Sequence, residues 1–121
     1  MPTNIKCTRE GLVGSTTKSG YVIDKIVPFV ALPCVDALHR RVRVRNLAND
    51  KSTIAIVLDV GPWNEHDREY VFGSARPQAE NGGPDERNRK TNGAGIDLGE
   101  RVRRELDMVD DNGLVDWEFV I

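Results

Sequence analysis

Ile54-Ala55-Ile56-Val57-Leu58-Asp59-Val60-Gly61-Pro62-Trp63 reads as a buried β-strand that carries one carboxylate into a turn. Its β-branched residues suit a strand, and Gly61-Pro62 stops it. Asp59 therefore stands where a sheet opens into a loop, the kind of place where binding and catalytic groups concentrate. A second apolar segment ending on an aspartate, Asn92-Gly93-Ala94-Gly95-Ile96-Asp97-Leu98, answers it later in the chain.

Upstream, Arg41-Val42-Arg43-Val44-Arg45 alternates strictly, with valines on one face and arginines on the other, as in a half-buried strand. Asn46 to Lys51 supplies turn residues, so this strand and the one leading to Asp59 are expected to form a hairpin. Ile26 to Pro33 is a further strand candidate, framed by prolines that restrict it to a sheet edge or a strand start. Cys34 to Leu38 reads as one helical turn, Tyr21-Val22-Ile23 as a brief apolar run, and Gly11 to Gly20 as a strand end with an exposed loop.

Downstream, Asn64 to Gly95 lacks periodicity and is rich in helix and strand breakers, a long polar insertion whose near end Tyr70, Val71 and Phe72 anchor. Asp97 with Glu100 matches a capping box that opens a helix, with Leu98, Val102 and Leu106 on one face. Asp110 to Gly113 forms a turn. Leu114 to Val120 is a last alternating strand with Trp117 in the core. Short strands with a short late helix predict a small, mainly β domain, most economically a closed barrel without free edges.

The 121 residues and 39% apolar content suit a single domain, 1–121, with one core. A net charge of −2 provides no field to draw nucleic acid or an anionic membrane, and no stretch reaches the length of a membrane span. Met1 to Glu10 lacks the apolar core of a secretory signal, so the chain as written is expected to be soluble, in a compartment the sequence leaves open. Cys7 and Cys34 are read either as a disulfide or as two buried thiols.

The ordered series Thr17-Lys18-Ser19-Gly20, Phe29-Val30-Ala31-Leu32-Pro33, Val42-Arg43-Val44-Arg45-Asn46, Asp59-Val60-Gly61-Pro62, Ile96-Asp97-Leu98 and the strand ending at Val120 resembles the double-psi β-barrel family of rare lipoprotein A. Barwin, the expansins and the membrane-bound lytic transglycosylases are related to that family. The resemblance implies a mainly β, six-stranded double-psi β-barrel with one or two short helices and a long polar insertion at about 64–95. It further implies non-hydrolytic cleavage of peptidoglycan, in the cell wall or periplasm, with Asp59 as general acid/base and Asp97 as a supporting carboxylate. The family's glutamate after the glycine and its histidine are replaced here by Tyr21 and, approximately, Pro33. The alternatives are an expansin-like barrel that binds glycan without cutting it, and an interaction or assembly module that uses the insertion.

Each candidate also has a plainer role. Asp59 is equally suited to hydrogen-bonding its own turn, and Asp97 to capping a helix, worth about 1 kcal/mol. Trp63, Tyr70 and Tyr21 are candidate sugar contacts because aromatic rings combine an apolar face with a polar handle, and they serve as well to close a barrel mouth. Asn92 is the fourth candidate contact, in a glycine-rich segment that lacks the lysine and spacing of a phosphate loop. No metal site is expected from His66, Asp67, Asp59 and Asp97, which lack ligand spacing, and no cofactor is expected. Peptidoglycan or another polysaccharide is the expected partner.

Overall fold

The computed structural model describes residues 2–82, 90–108 and 113–121. Six strands, β1 (Ile5–Arg9), β2 (Phe29–Leu32), β3 (Arg41–Asn46), β4 (Ser52–Val60), β5 (Ile96–Leu98) and β6 (Gly113–Phe119), close into one barrel in the order β1-β5-β2-β4-β3-β6. Two short helices, α1 (Arg68–Val71) and α2 (Glu100–Glu105), complete a mainly β fold of the expected class. β1 runs parallel to β5, and β2 to β4; the other four neighbouring pairs are antiparallel. Exchanging β1, β2 and β3 for β4, β5 and β6 maps this order, and the direction of every pairing, onto itself. The barrel is thus two interlocked halves related by an approximate twofold, the double-psi arrangement.

The expected hairpin is present, with Arg43 opposite Ile54 and Val44 opposite Thr53. Val42 and Val44 are buried, while Arg41 and Arg43 are exposed. Alternation over this strand places valine in the core by geometry, because successive side chains point to opposite faces. β2 is not a sheet edge: it lies between β5 and β4 with all four residues buried, and Pro28 and Pro33 fall just outside it, where no ladder donor is required. The Cys34–Leu38 turn appears as a 3-10 turn over Val35–Ala37. Cys7 and Cys34 are both buried free thiols.

Three expectations need correction. β1 lies in a stretch the pattern left unassigned, because only Ile5 and Cys7 point inward and the strand ends in polar residues. Asp97 does not cap a helix: it belongs to β5, and α2 starts after Gly99, whose backbone is extended and whose amide donates to Phe29 O at 3.0 Å. The insertion also contributes to the core, through α1, a 3-10 turn over Gln78–Asn81 and buried Tyr70, Val71, Ala79 and Ala94. The Asp110–Asn112 portion of the expected turn lies outside the described residues.

Tyr70 ties the insertion to the barrel. Its hydroxyl donates to Gly95 O at 2.9 Å and accepts from Trp117 Nε1 at 2.7 Å, and the two rings meet edge to face at 5.9 Å. Gly95 is required by close approach, since a Cβ there would sit 2.7 Å from Pro77 Cγ and 2.9 Å from the Tyr70 hydroxyl oxygen. Replacing Tyr70 by Phe removes the partner of a buried indole N–H and of a carbonyl, a loss of about 1–3 kcal/mol. Urea unfolding of Tyr70→Phe is expected to show a midpoint lowered accordingly; an unchanged midpoint would refute the anchoring role.

Candidate functional site

Strand register gathers acidic residues at one end of the barrel. Ala31 in β2 is opposite Asp59 in β4 on one side and Asp97 in β5 on the other, and Asp97 is opposite Thr8 in β1. A single row across four strands therefore reads Asp59, Ala31, Asp97, Thr8. The residue between the aspartates, Ala31, carries only a methyl group and is buried. Glu10 enters from the end of β1, its amide donating to Leu98 O at 2.8 Å and so extending the β1–β5 ladder by one bond.

Glu10 is 9% exposed, and its carboxyl group is coupled to those of both Asp59 and Asp97. Burial, the hydrogen bond to Asp59 and the charges of the two aspartates push its carboxyl up to about 10. Three carboxyl groups this close do not all ionise, and the proton stays with Glu10 at neutral pH. Burial also raises Asp97, to about 6, against the opposing effect of hydrogen bonds from the Thr8 hydroxyl and Glu10. Asp59 Oδ1 accepts the amides of Lys18 and Val60, both at 2.9 Å. The turn role expected of Asp59 is therefore real, and it coexists with the bond to Glu10.

Glu10 and Asp97 open onto a cleft of about 370 Å³ whose walls also include Thr8, Arg9, Trp63, Glu65 and Asn92. Gly61, at φ 143°, brings the β4 turn against Asp97: a Cβ there would lie 4.0 Å from Asp97 Oδ2. Trp63 follows at φ 78°, in the left-handed region, and lines the cleft. Lys18 Nζ lies 3.7 Å from Glu65 Oε1.

Of the residues singled out from sequence, Asp97, Trp63 and Asn92 line this cleft, and Asp59 stands in the strand row beside Asp97 without being one of its walls. Tyr70 does neither; it is 1% exposed and held in the core by Trp117 and Gly95, so it is not a sugar contact. Tyr21 lies outside the cleft walls, its hydroxyl donating to Asp24 Oδ1 at 2.7 Å and its ring packed edge-on against Phe29. Glu10 was missed, because a lone glutamate beyond an unrecognised strand carries no motif. The available signal was symmetry, since Glu10 and Asp59 lie at the ends of β1 and β4, the strands that the twofold exchanges. Among the described residues, no group of three or more His, Cys, Asp or Glu side chains is arranged to hold a metal ion.

Glu10 makes stability depend on pH. Its carboxyl titrates near 4.3 when unfolded and far higher when folded. Between those values only the folded state binds the proton, so the stabilisation is complete below about pH 4 and is lost as pH rises, by up to about 1.4 kcal/mol per unit. Asp97 adds the same sign between about pH 4 and 6. Glu10→Gln keeps a donor and cannot ionise. Thermal melts from about pH 5 to 9 should therefore show the variant gaining on the wild type as pH rises; parallel curves would place the proton elsewhere.

A family model described as a domain of unknown function, DUF8814, matches residues 1–80, and the chain belongs to that family. The match covers β1 to β4 with Glu10, Asp59 and Trp63, whereas Asn92 and Asp97 lie beyond it. No curated protein matches the chain.

Proposed function

We propose that this DUF8814 member cleaves cell-wall glycan in the manner of a lytic transglycosylase, with Glu10 and Asp59 acting as one acid/base unit. The observation that carries this reading is the buried Glu10 carboxyl at the end of β1, coupled to Asp59 near the end of β4 and set beside Asp97 on the cleft wall. Hydrolytic glycosidases place two carboxyl groups on either side of the bond, about 5–5.5 Å apart for retention and about 6.5–9.5 Å for inversion. A pair that shares one proton is too close for either arrangement. It suits a reaction in which one proton site first gives and then takes, and the sugar's own 6-hydroxyl replaces water.

In that reaction the protonated carboxyl on the cleft wall donates to the glycosidic oxygen as the bond from C1 breaks. Two adjacent carboxylates are then left, and their repulsion makes the pair a strong base. It takes the proton of the 6-hydroxyl while that oxygen bonds to C1, which closes a 1,6-anhydro ring and restores the starting protonation state. Asp97, tied to Thr8 and Glu10, holds the acid in place and raises its proton affinity. Trp63 offers an apolar face for a sugar ring at the cleft wall.

A second reading, glycan binding without turnover, is favoured by one observation: Asp59 Oδ1 is already occupied by two backbone amides. Incubation with purified peptidoglycan followed by mass spectrometry separates the two. Turnover predicts 1,6-anhydro muropeptides, reduced about 100-fold or more in Glu10→Gln and Asp59→Asn. Sedimentation with the insoluble wall and no anhydro product would establish the binding reading. Neither product nor sedimentation would sink both.

A further inference from the structure

We propose that a second cavity beside Glu10 is a subsite for the acetamido group of the sugar whose C1 is cleaved, with Leu12 and Val13 as its specificity residues; this rests on the glycan reading above. The cavity, of about 190 Å³, meets the main cleft at Arg9 and Glu10, the two residues that line both. Its apolar walls are Gly11, Leu12, Val13 and Ile23, from the segment between β1 and β2. Lys25 and Glu100 complete it, and Glu100 Oε2 lies 3.4 Å from Arg9 Nη2. The main cleft instead continues toward the β4 turn, through Gly61, Pro62 and Trp63. A glycosidic bond placed at Glu10 therefore has one cavity toward the β4 turn and another toward the segment between β1 and β2.

Exposed apolar side chains gather on that segment. Among the described residues Leu12, Val13, Val22 and Ile26 all fall between β1 and β2, with Leu12 77% and Val13 57% exposed. Apolar residues collected in one place mark a contact surface, whereas scattered ones do not. The segment also has a fixed shape: the Gly14 amide donates to Ile23 O and the Ile23 amide to Ser15 O, both at 2.9 Å. Gly11, at φ 43°, lets the chain pass close to Ile23, since a Cβ there would meet Ile23 Cδ1 at 2.8 Å. When Glu10 protonates the glycosidic oxygen, C1 is held beside it, and the neighbouring carbon, C2, carries the acetamido group of a cell-wall sugar. A sugar ring stacks on an aromatic face such as Trp63, whereas aliphatic walls suit a methyl group. The acetamido methyl is thus the group that the second cavity fits.

Binding constants of cleavage-deficient Asp59→Asn, a substitution outside the walls of both cavities, test this on two probes. One is peptidoglycan glycan stripped of peptide, in its natural N-acetyl form; the other is the same glycan with each acetyl replaced by formyl, which removes a methyl group and leaves the charge unchanged. The N-acetyl strands should bind about two- to fourfold tighter, the contribution of one methyl group taken out of water. Adding Leu12→Ser and Val13→Ser together, at exposed positions that leave the core intact, should abolish the difference, and Val13→Ile should keep it. Equal binding of the two forms, or a preference that survives the double substitution, overturns the subsite, leaves the exposed aliphatics to another partner and keeps the glycan reading intact. No binding to either form overturns both.

Discussion

The contact between β2 and β5 is the joint on which the barrel depends. It is short, with Val30 opposite Leu98 and Ala31 opposite Asp97, yet each strand is also the parallel partner of a strand from the other half. Neither half closes without the other, because β2 finds its parallel partner in β4 and β5 finds its own in β1. All four residues of β2 are buried, together with Ile96 and Leu98 of β5. The Phe, Val, Leu and Ile side chains among them each contribute about 1.5–3 kcal/mol on burial. That apolar joint offsets the cost of holding carboxyl groups immediately beside it.

Magnitudes indicate what holds the fold and what does not. Arg43–Glu118 and Arg101–Glu105 are solvent-exposed pairs, of a kind that contributes about 0–1 kcal/mol each. The packed core of Trp117, Tyr70, Phe29 and the surrounding aliphatics outweighs them. The acidic cluster has the opposite sign. Burying a carboxyl group is unfavourable unless it is paired or protonated, and here Glu10 satisfies the requirement by keeping its proton. An arrangement that lowers stability at neutral pH and opens onto a cleft is where site chemistry is usually found.

How much of this could be read from sequence differs residue by residue. The β3–β4 hairpin was legible because Val42 and Val44 alternate with arginines and a polar turn follows. The position of Asp59 at a strand end was legible because Gly61-Pro62 terminates the apolar run. Asp97 was misread because Asp-x-x-Glu describes a helix cap and a strand end equally well, and only tertiary pairing with Thr8 and Ala31 decides between them. Tyr70 was ambiguous for a related reason: an aromatic in a polar segment is either an exposed contact or an anchor, and its partners, Gly95 and Trp117, are distant in sequence. Glu10 was invisible, since nothing local marks a glutamate whose meaning comes from the opposite half of the barrel.

The approximate twofold gives the chain the construction of a dimer whose two subunits are joined covalently through the β3–β4 turn. In a homodimer an acid on the axis meets its own copy, and a shared proton forces two identical groups to become unlike. Here the two halves differ in sequence, so the asymmetry is built in: the β1 end supplies a glutamate, longer by one methylene, and the β4 end an aspartate pinned by the amides of Lys18 and Val60. A symmetric frame carried in one chain thereby allows one acid to be specialised without altering its counterpart.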